Sequence, residues 1–280
     1  MFQRISNSWE LIKASATVLS ADKELIIFPI ISAIGTLLVT ISFAVPMALA
    51  GVFDAIATNN SGILPFILAF FFYAVQYLVI FFANTALVGA ALIRLRGGDP
   101  TVSDGFRIAF SHIGSIFGYA LISATVGMII RALSSKQNGI GRIVISLIGM
   151  AWNIATFLVV PILASEDIGP IQAIKRSVQL LKKTWGEQIA GNFGLGIVFG
   201  LLTLGVILVG MVGIFLAVSA ESIYLIITVV VLMVLALVAI GLINSAFSGI
   251  FTAAVYRYAV DGETSGFFDA SMVQNAFRSH

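Results

Sequence analysis

The chain has no cysteine, and its two histidines, His112 and His280, lie far apart. Disulfides, thiolate metal sites and cysteine nucleophiles are therefore excluded, and the histidines cannot by themselves form a metal site. Charge is scarce as well: Asp, Glu, Lys and Arg make up 10% of residues, against about 25% in a soluble domain. A normal hydrated surface cannot be built from so little. No Walker loop, H-E-x-x-H or G-x-S-x-G occurs. No enzymatic activity and no cofactor are expected, and a net charge of +2 is too small to make nucleic acid a partner.

Apolar side chains take the place of the missing charge. Hydrophobic residues make up 59% of the 280 positions, and the mean hydropathy is +1.07. Several runs exceed about 18 apolar residues, enough for a helix to cross a bilayer. The expected fold is all-α, a polytopic bundle of six spans over roughly 25–51, 63–93, 113–131, 143–163, 189–218 and 223–257. The "ALAG" at Ala48–Gly51 resembles a signal-peptide cleavage site. The run before it is longer than a signal h-region, so an uncleaved first helix is expected.

Basic residues accumulate on the cytoplasmic side of membrane proteins. Arg4, Lys13 and Lys23 precede the first span; Arg94, Arg96 and Arg107 follow the second; Lys175, Arg176, Lys182 and Lys183 follow the fourth; Arg257 and Arg278 end the chain. Only Arg131, Lys136 and Arg142, all in one connection, fall on the other side. Both termini are therefore expected in the cytoplasm of a multi-pass protein of the plasma membrane.

The segment "GPIQAIKRSVQLLKKTW" (Gly169–Trp185) stands between two apolar runs. Ile171, Ile174, Val178, Leu181 and Trp185 form one stripe of a helix, with basic residues around the rest. Phe2, Ile5, Trp9, Ile12 and Ala16 repeat that spacing, and Val102, Phe106, Ala109 and Ile113 give a shorter version. There Thr101 and Asp104 fit a capping box. The three are read as amphipathic helices lying in the cytoplasmic headgroup layer. Glu166 and Asp167 are expected to cap the third of them.

Even-numbered spans share a further pattern. "NTALVG" (Asn84–Gly89) and "NSAFSG" (Asn244–Gly249) both fit N-[TS]-A-x-x-G, and "NIA" (Asn153–Ala155) keeps part of it. Three copies of one unit are expected within a single membrane domain, an amphipathic helix followed by two spans, over 1–93, 94–163 and 164–260, with a tail over 261–280.

"SWELIKASATVLSADKELIIFPI" (Ser8–Ile30) and "PILASEDIGPIQAIKRSVQLLKKTWG" (Pro161–Gly186) resemble segments of a prokaryotic family of six-span membrane proteins of unknown function. The second is also similar to the membrane domain attached to some glycerophosphodiester phosphodiesterases. The resemblance implies a six-helix membrane fold and no assigned reaction.

Two sets of residues are candidates for function. Asn84, Asn153 and Asn244 are amides in apolar surroundings, where an unbonded polar group is costly. They form either a site for a neutral or zwitterionic ligand or hydrogen-bonded glue between helices. Lys175, Arg176, Lys182 and Lys183 are candidate contacts to anionic lipid. No span interior holds an ionisable residue, which argues against proton-driven transport. A non-enzymatic module binding membrane lipids or another membrane protein is the expected function. A permease or channel for a neutral or amphiphilic solute is the alternative.

Overall fold

Apolar runs of this length can satisfy their backbone in lipid only internally, which dictates helices. A computed structural model describes residues 2–52, 62–135, 140–185, 194–263, 266–268 and 273. The helices are α1 (Phe2–Ala21), α2 (Ile27–Leu49, led in by a 3₁₀ turn at Lys23–Ile26), α3 (Leu64–Leu95), α4 (Val102–Ser111) and α5 (Ile113–Ser135). After them come α6 (Ile140–Ala155), α7 (Val159–Ser165), α8 (Pro170–Trp185), α9 (Gly194–Ser219) and α10 (Ile223–Asp261). Six segments are long and apolar enough to cross a membrane: Lys23–Leu49, Leu64–Leu95, Ile113–Ser134, Gly141–Ser165, Val198–Ser219 and Ile223–Asp261. The fold is an all-α polytopic one. The start expected for the fifth span, at 189, lies outside the described residues.

The second and sixth spans have 32 and 39 residues, or about 48 and 58 Å at 1.5 Å per residue. Both exceed a hydrocarbon core of about 30 Å, and the excess is used for packing. The buried part of α3 is its last third, Ala83 to Leu95, and that of α10 runs from Ala246 to Ala259. Both helices stop at a glycine held in the left-handed region, Gly97 at φ 88° and Gly262 at φ 71°. A side chain is strained there, and glycine ends the helix without that cost.

The core lies at this one end of the molecule. Leu11 and Val18 of α1, Phe28 at the start of α2, Ala109 of α4, Ile116 of α5 and Leu180 and Leu181 of α8 join the buried ends of α3, α7 and α10. Away from it, apolar residues face outward: Leu37 and Leu38 of α2, Phe66 of α3, Leu208 and Val209 of α9, and Leu232 and Leu235 of α10 are all exposed.

The amphipathic helices close the packed end. The α4 helix lies on α3, α8 lies on α7, and α1 lies on α9 and α10. Each thus covers the end of a hairpin other than its own. The capping box that starts α4 is formed: Asp104 N–H donates to Thr101 Oγ1 (3.2 Å), and Thr101 N–H to Asp104 Oδ2 (3.0 Å). A third bond comes from outside, as Val102 N–H donates to Glu24 Oε2 (3.1 Å).

The fourth span is broken at Thr156–Leu158, between α6 and α7. Pro161 has no N–H to give to Phe157, and its ring crowds that carbonyl, which breaks a helix. The Leu158 N–H donates instead to Ser177 Oγ of α8 (3.1 Å), in a fully buried contact. A hydroxyl of the amphipathic helix thus fills a gap in the span. Replacing Ser177→Ala should cost about 1–3 kcal/mol, the penalty for an unsatisfied buried donor, read as a lower unfolding temperature in detergent. An unchanged midpoint would mean that another acceptor reaches Leu158.

The two N-[TS]-A-x-x-G segments meet. A Cβ at Gly249 would overlap the side chain of Leu87, so α10 presses onto α3 where one motif touches the other. Gly249→Ala is expected to destabilise by about 1–3 kcal/mol through overpacking. Adding Leu87→Ala should return part of that loss. A double variant no better than the sum of the singles would place the contact elsewhere.

Candidate functional site

The outer surface of α8 is built by its register. Ala173, Ser177, Leu180, Leu181 and Trp185 face the protein. Ile171 and Val178, read from the sequence as part of the apolar stripe, are 61% and 43% exposed. They alternate with exposed Lys175 and Lys182 along one outward line, 171–175–178–182. Small Ala173 and Ser177 let the helix settle closely on the break between α6 and α7, which leaves Ile171 and Val178 on the outward side. The result is a face where apolar side chains can dip into lipid while lysine stems snorkel to the headgroups.

The α1 helix shows the same pairing. Trp9, on the apolar stripe read from the sequence, is 50% exposed, and the Lys13 Nζ lies 6.0 Å from its ring centroid. On α4, Phe110 is exposed beside exposed Arg107.

The four basic residues of α8 do not form one set. Lys175, Lys182 and Lys183 are exposed and in no ion pair among the described residues. Arg176 turns inward, where its Nε donates to Glu166 Oε1 (3.3 Å). Glu166 Oε1 also accepts from the Tyr256 hydroxyl of α10 (3.1 Å). Glu166 is thus an anchor that joins α7, α8 and α10, and the start of α8 is capped by other means: Gly169 N–H donates to Gln172 Oε1 (3.0 Å).

Similar ties hold α3. The Arg94 Nη2 pairs with Asp22 (3.3 Å) and with Asp99. Arg257 of α10 donates to the Leu95 carbonyl, at the exposed-carbonyl end of α3, and pairs with Glu263 (3.7 Å). Burial holds the Asp22 carboxyl above its usual value, against the opposing pull of Arg94. The bonds from Thr101 hold that of Asp104 below it. Among the described residues, no group of three or more His, Cys, Asp or Glu side chains could hold a metal ion.

The asparagines divide. Asn84 and Asn244 are half-buried on α3 and α10, two helices in contact. Asn153 stands apart on α6, which packs chiefly on α5 and α8. It is exposed and lines a groove of about 550 Å³ between α5 and α6 with Arg142, Ser146 and Ser134. None of the three side-chain amides makes a hydrogen bond among the described residues. The amide that does cross-link spans was passed over in the sequence. Gln76 Nε2 of α3 donates to the Thr36 carbonyl (3.1 Å) and to Thr40 Oγ1 (2.8 Å) of α2. Its signal is an amide in the long apolar run Leu64–Ile93, which also holds Asn84.

Replacing Arg176→Gln should lower stability by about 0.5–1 kcal/mol, the scale of a partly exposed pair. Lys175→Gln, Lys182→Gln and Lys183→Gln should each stay within about 0.5 kcal/mol of wild type. Thermal unfolding of the four variants in one detergent separates the structural arginine from the free lysines, and equal losses would contradict the division.

No curated protein matches the chain. A family model does match residues 63–267, from the start of α3 past the end of α10. It spans five of the six candidate spans and two of the three amphipathic helices. The chain, a polytopic membrane protein, therefore belongs to the family of unknown function DUF6159.

Proposed function

We propose that this protein is a non-enzymatic module of the plasma membrane, with both termini in the cytoplasm, that binds anionic lipid through the outward faces of its amphipathic helices. One observation carries the reading: an exposed apolar residue stands one turn from an exposed cation at Trp9 and Lys13, Ile171 and Lys175, and Val178 and Lys182. Apolar insertion and attraction to anionic headgroups act together on such a face. The strong bias of Lys and Arg to this end of the molecule supports placing it in the cytoplasm. The resemblance of Pro161–Gly186 to a prokaryotic six-span family, and to membrane domains that accompany phosphodiesterases, fits a module that supplies a membrane platform. Another membrane protein, docking on the same face, is the competing occupant.

Native mass spectrometry of protein extracted gently from its own membrane tests the reading. Anionic lipid should remain bound to wild type. Its retention should fall by roughly fivefold for each of Lys175→Gln and Lys182→Gln, since a surface cation contributes about 1 kcal/mol to such contacts. Unchanged lipid retention in the double variant, or loss of a bound protein instead of lipid, would overturn it.

A further inference from the structure

The α5–α6 groove lies at the other end of the molecule and does not depend on the reading above. On α6, Arg142, Ser146, Gly149 and Asn153 follow offsets of 0, 4, 7 and 11, a single line along the helix, and all four line the groove. Arg142, Ser146 and Asn153 are exposed. Ile143, Val144, Leu147 and Ile148 beside them are exposed too, so the groove opens sideways toward lipid. A polar line on the lipid-facing side of a spanning helix is unfavourable unless something hydrogen-bonds it. Asn153 has no such partner, and Arg142 no carboxylate, among the described residues. The neighbouring cation Arg131 is already engaged by the Tyr73 hydroxyl.

We infer that this groove is a binding site for an anionic phospholipid. Its phosphate pairs with Arg142, and Ser146, about 6 Å further along the helix at 1.5 Å per residue, hydrogen-bonds the glycerol ester region below. Arg142 stands near the start of α6, and Asn153 lies about 16 Å further along the helix at 1.5 Å per residue. At that depth Asn153 lies beside the acyl chains, beyond reach of the glycerol esters. The volume lies within the range of small-molecule sites, about 300–1,000 Å³. A second copy of the chain fits less well. In a twofold dimer through this face with its axis along the membrane normal, equivalent residues lie at equal depth, which would bring two Arg142 cations to the same level of one interface.

Since the chain lacks cysteine, Met150→Cys gives a unique labelling position on the groove wall. The labelled full-length protein is placed in phosphatidylcholine vesicles carrying a small fraction of spin-labelled phosphatidylglycerol or spin-labelled phosphatidylcholine. Quenching of a fluorophore at 150 should favour phosphatidylglycerol by about fivefold, the contribution of one surface cation. Arg142→Gln should abolish that preference, Ser146→Leu should weaken quenching by both lipids, and Lys175→Gln with Lys182→Gln should leave the preference intact. Equal quenching by the two lipids would overturn the assignment, as would a preference that survives Arg142→Gln. Displacement by inorganic phosphate, or a disulfide-linked dimer through position 150 without lipid quenching, would also overturn it.

Discussion

The close approach of α3 and α10 sets the rest of the structure in place. Gly249 removes a side chain where Leu87 needs the room, and the two longest helices meet over their final turns. Other elements then have a surface to join. The α4 helix packs onto α3 with the same economy: a Cβ at Gly105 would strike both Phe28 and the Ala86 carbonyl. Polar ties close the remaining gaps, with Arg257 on the last carbonyl of α3 and Tyr256 on Glu166 at the end of α7. Buried polar groups cost little once every partner is supplied, and here one hairpin supplies partners for another.

The asymmetry between the two ends follows from the solvent each one meets. Lipid tails are as apolar as Leu, so association of spans inside the bilayer gains nothing from the hydrophobic effect. At the amphipathic end, water is available as the alternative, and burial of Val18, Ile116, Leu163 and Val255 is driven in the usual way at about 25 cal/mol per Å². Within the most apolar window of α10 no residue is buried, which is the expected state of a helix that gains nothing by hiding. Inside the membrane, packing must come instead from close fit and from amides such as Gln76.

What the sequence made legible follows from this division. Span positions could be read because length and hydropathy alone decide them, and the Thr101–Asp104 cap because it is a local bond between neighbours. Faces of helices were harder. On α8 the bulky residues Ile171 and Val178 look like the buried stripe, yet small Ala173 and Ser177 occupy the contact, since the broken span beneath them leaves a hydroxyl-sized gap. On α1, Trp9 turns outward while Leu11 and Val18 are buried. Hydrophobicity marks a side chain as one that avoids water, but at a membrane surface lipid serves as well as protein. Arg176 was misleading for a related reason. Its partner Glu166 is ten residues away, across a turn whose geometry no periodicity reports.

That ambiguity bears on the repeated plan. If each unit were self-contained, its amphipathic helix would cover its own hairpin. Instead α4 covers the hairpin before it, α8 covers the broken end of the fourth span, and α1 covers the last hairpin. The N-[TS]-A-x-x-G motif is complete in α3 and α10, which touch each other through it, and only in part in the fourth span. There Pro161 and the Leu158–Ser177 bond replace continuous helix packing, and the other half of that span, α6, is left with its polar line exposed.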